Sequence, residues 1–70
     1  MEREIEEYVD GIYEPAKEWV FTLETVSATM LQRRFRIGHT RAARIIDRLE
    51  EHKIVGPAEG RGPRKVLVKE

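Results

Sequence analysis

Arg41, Arg44 and Arg48 recur three and four residues apart, the interval that aligns side chains along one edge of a helix. Placed on a wheel at about 100° per residue, they form a stripe beside an apolar arc of Ala42, Ile45, Ile46 and Leu49. Thr40, Ala43 and Asp47 occupy the side opposite that arc. The chemistry open to such a helix is binding. A guanidinium presents a planar fork of donors that fits phosphate by two bonds, and fits guanine O6 and N7 in the same way. Arg44 is the best base-reading candidate on this helix. Asp47, three residues on, can accept from cytosine N4 or orient Arg44. Ala43 contributes by being small, because a bulky side chain there would hold the helix away from base edges. More cations flank the helix: Arg33, Arg34 and Arg36 before it, Arg61, Arg64 and Lys65 after it. These have the character of phosphate contacts, which set position while base contacts set sequence choice. An ordinary amphipathic helix with a charged outer face shares the same wheel, so the helix alone does not decide the function.

The surrounding sequence supplies the elements that would position these groups. Pro15 suits a first helical turn, and Ala16, Trp19, Val20 and Leu23 repeat at helical spacing, which predicts a first helix over about residues 15–24. Thr25-Val26-Ser27 is short and partly β-branched and reads as a one- or two-residue strand. Thr29-Met30-Leu31-Gln32 has the form of a capping box, so a second helix is expected to start at Thr29 and reach Phe35 or Arg36. Gly38 is expected to end it in the left-handed conformation, and Thr40 to cap a third helix over about 41–52. Two helices joined by three or four residues that include glycine make a helix-turn-helix. Ile54-Val55, the turn-rich Glu59-Gly60-Arg61-Gly62-Pro63 and the strand Arg64–Val68 then read as a hairpin wing. The predicted fold class is mostly α with a small β-hairpin, a winged helix-turn-helix with a three-helix core plus wing. Residues 13–68 form that domain. Residues 1–12 form an acidic leader or short helix whose Ile5, Tyr8, Val9 and Ile12 share a stripe.

Composition narrows the function. The chain has 70 residues, no cysteine and a formal net charge of zero. The charge is unevenly distributed: residues 1–30 hold two basic and eight acidic side chains, residues 31–70 eleven basic and five acidic. The halves therefore carry about −6 and +6, the mark of a basic binding face on a balanced molecule or of charges that pair across the fold. No apolar run approaches the roughly 20 residues needed to cross a bilayer, and no signal-peptide pattern opens the chain. The expectation is a cytoplasmic protein with no membrane contact. An enzyme is not expected: there is one serine, and His39 and His52 lack a zinc-ligand spacing. Glu50 and Glu51 are adjacent, face different ways on a helix and make no acid–base pair. No GxxxxGKS/T phosphate loop occurs. No cofactor and no metal site is expected. His39, in the turn, is placed to touch a phosphate, and His52 to put a favourable charge at a helix C-terminus.

With these residues in view, the stretch from Leu31 to Asp47 (LQRRFRIG, then RAARIID after His39-Thr40) resembles the C-terminal gamma domain of the FtsK/SpoIIIE DNA translocases. The run Ile54–Gly60, then Gly62–Leu67, matches that domain's wing, and the resemblance covers about residues 13–68. It implies a winged helix that binds short polar sequences in double-stranded DNA and orients a hexameric motor on the chromosome, with a XerD-type recombinase as a further partner in FtsK and a place at the division septum through the parent translocase. It also implies base contacts from an Asn, an Arg and an acidic residue of the recognition helix, here Thr40, Arg44 and Asp47. Thr40 lacks the two-bond contact that asparagine makes to adenine. Backbone contacts are expected from Arg33, Arg34, Arg36, His39, Arg41, Arg48, Arg61, Arg64 and Lys65. Two rivals stand beside this reading: a small winged-helix transcription regulator that binds DNA as a dimer, and a winged helix that binds only protein.

Overall fold

The computed structural model describes residues 11–60 and 62–68. Most of the expected leader, including Ile5, Tyr8 and Val9, lies outside the described residues, as does Arg61. Helix α1 spans Tyr13–Val20, with Glu14 in its first turn and Ala16 and Val20 buried. It ends earlier than the apolar spacing predicts. The Thr22 hydroxyl donates to the Trp19 carbonyl at 2.7 Å, the Thr22 and Leu23 amides bond three residues back, and the last turn tightens into the loop. Strand β1 is Thr25–Val26.

Helix α2 spans Ala28–Phe35, and its N-cap is Ser27 rather than Thr29. Pairing of β1 holds Ser27 extended, at φ −131° and ψ 164°, which is the backbone a cap requires. The Ser27 hydroxyl accepts from the Met30 amide at 3.2 Å, and its carbonyl accepts the first helical bond from Leu31. Starting there aims Leu31 fully into the core. The other end also differs from expectation. Arg36, not Gly38, takes the left-handed conformation, with φ 55° and ψ 50°. Gly38, at φ −77° and ψ 169°, is instead the N-cap of α3, His39–Glu51, so Thr40 lies inside the helix. Reversing the chain at Arg36 leaves Ile37 packed against the core before α3 begins.

Helix α3 buries Ala42, Ile45, Ile46 and Leu49, the arc expected from the wheel. Its end is closed by Lys53 in the left-handed region at φ 62°. The Lys53 amide bonds to the Glu50 carbonyl and the Ile54 amide to the Leu49 carbonyl, each at 2.9 Å, which is the two-bond Schellman closure. Ile54 and Val55 are thereby driven into the core.

Strand β2, Arg64–Lys65, pairs antiparallel with β1, Thr25 facing Lys65 and Val26 facing Arg64. On its other side, Val55 bridges Val66, and the Gly56 and Leu67 amides bond to the Lys65 and Ile54 carbonyls at 2.9 and 2.8 Å. The wing is thus a hairpin of 54–56 against 65–67, and β1 seals its far edge. The result is a winged helix-turn-helix: three helices enclosing one core, with Val26, Val55 and Val66 extending that core under the wing.

A contact between α1 and the C-terminal end of α3 completes the bundle. Tyr13 and His52 share a hydrogen bond of 2.7 Å between the phenol and Nδ1, with their rings edge to face at 5.7 Å. Burial pushes the Tyr13 phenol above its ordinary 10.0; Arg48 opposes that shift, and Glu14 and Glu51 add to it. Folded Tyr13 therefore keeps its proton where the unfolded chain loses it. Its contribution to stability is intact below pH 10.0 and is lost as pH climbs through the folded value. In Tyr13→Phe the alkaline decline of stability, followed by urea melts at stepped pH, will be shallower than in the parent. Leu49 is completely buried, and Leu49→Ala will cost about 2–5 kcal/mol in the same melts. An unchanged midpoint would mean that α3 does not organise the core.

Candidate nucleic-acid interface

Because α3 hides one face, the opposite face must meet solvent. His39, Thr40, Arg41, Arg44 and Asp47 are all exposed, and Ala43 is half-buried between them. The residues expected to touch bases, Thr40, Arg44 and Asp47, therefore lie on the outer side of one helix, on successive turns. Arg48 is half-buried, with its guanidinium 3.8 Å from Glu51.

The wing comes back beside this face. Ala43, Ile46 and Asp47 of α3, Ser27, Ala28 and Thr29 at the start of α2, and Gly62, Pro63 and Arg64 of the wing line a single groove of about 250 Å³. Sequence reasoning missed the α2 residues and the Gly62-Pro63 pair. Nothing in their types marks them, and only the return of the wing across α3 assembles them.

Arg33, Arg34 and Arg36 are exposed toward the opposite end of α2, roughly 6–12 Å along its axis from the groove and next to the turn into His39. Arg34 lies within cation–π range of two rings: its guanidinium carbon is 5.5 Å from the Trp19 ring centre and 5.9 Å from that of Phe35. Trp19 meets Phe35 edge to face at 5.9 Å. Lys65 is exposed on β2.

Arg64 differs from Lys65, the other wing cation among the described residues. Its side chain is 18% exposed and turned inward. Nη1 donates to Glu50 Oε1 at 3.0 Å and to the Gly56 carbonyl at 3.2 Å. Nη2 stands 4.0 Å from Asp47 Oδ1. One guanidinium thus joins the base of the wing to two carboxylates of α3. The sequence offers no sign of this, since fourteen residues separate Glu50 from Arg64.

Arg36 bears a different constraint. A side chain in the left-handed region crowds its own carbonyl, a strain that glycine avoids. Any residue with a Cβ at that position is less favourable for folding than glycine. Replacing Arg36 by Gly will raise the urea midpoint, by up to ~1 kcal/mol in stability. A drop would show that the arginine side chain itself supports the turn.

Comparison with known proteins bears on this surface. The pattern of the Ftsk gamma domain matches residues 7–69. The chain is 55% identical over 62 residues to the DNA translocase SpoIIIE of Bacillus subtilis, covering 89% of this chain and 8% of that protein. It is 52% identical over 64 residues to the DNA translocase FtsK of Oceanobacillus iheyensis, covering 91% and 8%. With the DNA translocase FtsK of Listeria monocytogenes the identity is 52% over 62 residues, covering 89% and 8%. The chain therefore spans about 8% of the length of these relatives. Among the described residues, no helix is long and apolar enough to cross a membrane.

Proposed function

The chain belongs to the FtsK gamma-domain family, and from that premise we propose that it reads the sequence of double-stranded DNA and performs no catalysis of its own. The match falls on the gamma domain, not on a motor. One observation carries the reading: α3 buries Ala42, Ile45, Ile46 and Leu49 and exposes Thr40, Arg44 and Asp47 beside a wing. A major groove about 12 Å wide admits one such helix. Arg44 takes guanine O6 and N7, Asp47 accepts from an exocyclic base amine, and Thr40 offers a single hydrogen bond. Arg33, Arg34, Arg36, His39, Arg41, Arg48, Arg61 and Lys65 engage phosphates and fix the register.

The relatives are named DNA translocases. We place this domain in the same service: it recognises chromosome-orienting sequences and directs a translocase motor, in its own chain or another, during chromosome segregation in the cytoplasm. A XerD-type recombinase is the second partner proposed, on family grounds.

Selection from a random-core duplex pool, followed by sequencing, tests the central claim and supplies the ligand. A short directional consensus is expected, and a palindrome would favour a dimeric regulator. Binding to the selected duplex will weaken steeply with salt as counterions are released, and a flat response would remove the DNA reading. Arg44→Ala will cost about 1–3 kcal/mol and broaden the preference, while Arg61→Ala will weaken selected and shuffled duplexes alike. The reverse pattern would overturn the division of roles between helix and wing.

A further inference from the structure

We infer that Arg64 is a positioning residue for sequence readout: it holds the Asp47 carboxylate at the groove rim and offsets its charge, and contacts no phosphate itself. The inference deepens the DNA-reading function proposed above and rests on it.

Three features separate Arg64 from a phosphate clamp. Its origin is fixed, because its backbone is paired with Val26 in the sheet. Its guanidinium is engaged, by Glu50 at 3.0 Å and the Gly56 carbonyl at 3.2 Å, and the side chain is only 18% exposed. Its charge is already offset: Asp47 at 4.0 Å and Glu50 at 3.0 Å set two carboxylates against one cation, so a phosphate arriving there meets no surplus of positive charge. Among the described arginines, only Arg48 and Arg64 are not fully exposed.

Asp47 needs such a partner. It is 70% exposed and borders the groove with Ala43, Gly62 and Pro63. A carboxylate at that position can serve as an acceptor for a base amine, but the DNA backbone repels it. A cation 4.0 Å from one of its oxygens reduces that repulsion, and the Asp47 side chain stays 70% exposed beside it. Glu50, one turn below Asp47, holds the guanidinium by its other edge and keeps it from swinging out to the DNA. The wing and the reading face are thus coupled through one side chain, and sequence preference at the Asp47 position depends on a residue that does not touch the base.

The test uses the whole chain and two probes: the most enriched duplex from the random-core selection, and a shuffled duplex of equal composition. Affinities are measured across a salt series for the parent, Arg64→Gln and Glu50→Gln, and each protein is melted without DNA. In Arg64→Gln the ratio of selected to shuffled affinity will fall at least about fivefold, because an acceptor contact is lost, while the salt slope stays at the parent's value. In Glu50→Gln the guanidinium gains net charge and freedom, so affinity for the shuffled duplex will rise and the ratio will narrow. If Arg64→Gln instead weakens both duplexes alike and lowers the slope by about 0.9, Arg64 is a phosphate contact and the inference fails. Uniform weakening with an unchanged slope means that Arg64 merely supports the wing, which also overturns it. Should Arg64→Gln not fold, the Glu50→Gln arm decides: parent-like ratios overturn the inference. If the parent itself selects no sequence, the DNA-reading function falls and takes this inference with it, an outcome distinct from all the others.

Discussion

The burial of one side of α3 is the constraint on which the rest of the molecule depends. Ala42, Ile45 and Leu49 are completely enclosed and Ile46 nearly so. At about 1.5–3 kcal/mol for each large apolar side chain removed from water, no other rotation of this helix competes. Once that rotation is set, Thr40, Arg44 and Asp47 must face outward, because a helix cannot hide one side without presenting the other. The exposed surface of α3 is therefore a consequence of the core. It needs no rigid scaffold of its own beyond the packing of Leu31 from α2, Val20 from α1 and Val55 beneath the wing.

The helix ends show how the domain keeps charge at the surface. Arg36 and Lys53 occupy left-handed positions where glycine would fit without strain. Both sites close a helix by capturing carbonyls of the last turn: Ile37 reaches Gln32, and Lys53 and Ile54 reach Glu50 and Leu49. Both are followed by an isoleucine that returns to the apolar interior. The partial burial of Ile37 and the burial of Ile54 supply free energy that holds a basic residue in an unfavourable backbone well. Local preference is overridden by hydrophobic contact one residue further on.

The wing is organised by a similar mixture. Two short strands make few backbone bonds, so the sheet alone would be weak. Val26, Val55 and Val66 give it an apolar underside, and the Arg64 guanidinium ties its base to Glu50 on α3. The polar tie replaces no core residue, since no buried polar or charged side chain is found among the described residues. It lies at the rim, where partial exposure keeps the desolvation cost of the ions low. A domain of this family, spanning about 8% of the length of its translocase relatives, thus ties α3 to its wing through one side chain.

The order of elements, the inward arc of α3 and the outward placing of Arg44 and Asp47 were legible in the chain, because helical periodicity is a local property that needs no partner to be read. The family was legible for the same reason, from contiguous runs such as LQRRFRIG. What the chain did not disclose is decided by contacts distant in sequence. Ser27 rather than Thr29 caps α2 because β1 is pinned to β2, with Thr25 on Lys65 and Val26 on Arg64. Arg36 rather than Gly38 turns left-handed because Ile37 is drawn into the core. Arg64 turns in toward Glu50 rather than out toward solvent because the sheet register delivers it beside α3. Local spacing determines which face each residue shares, and only the closed tertiary structure determines which neighbours that face meets.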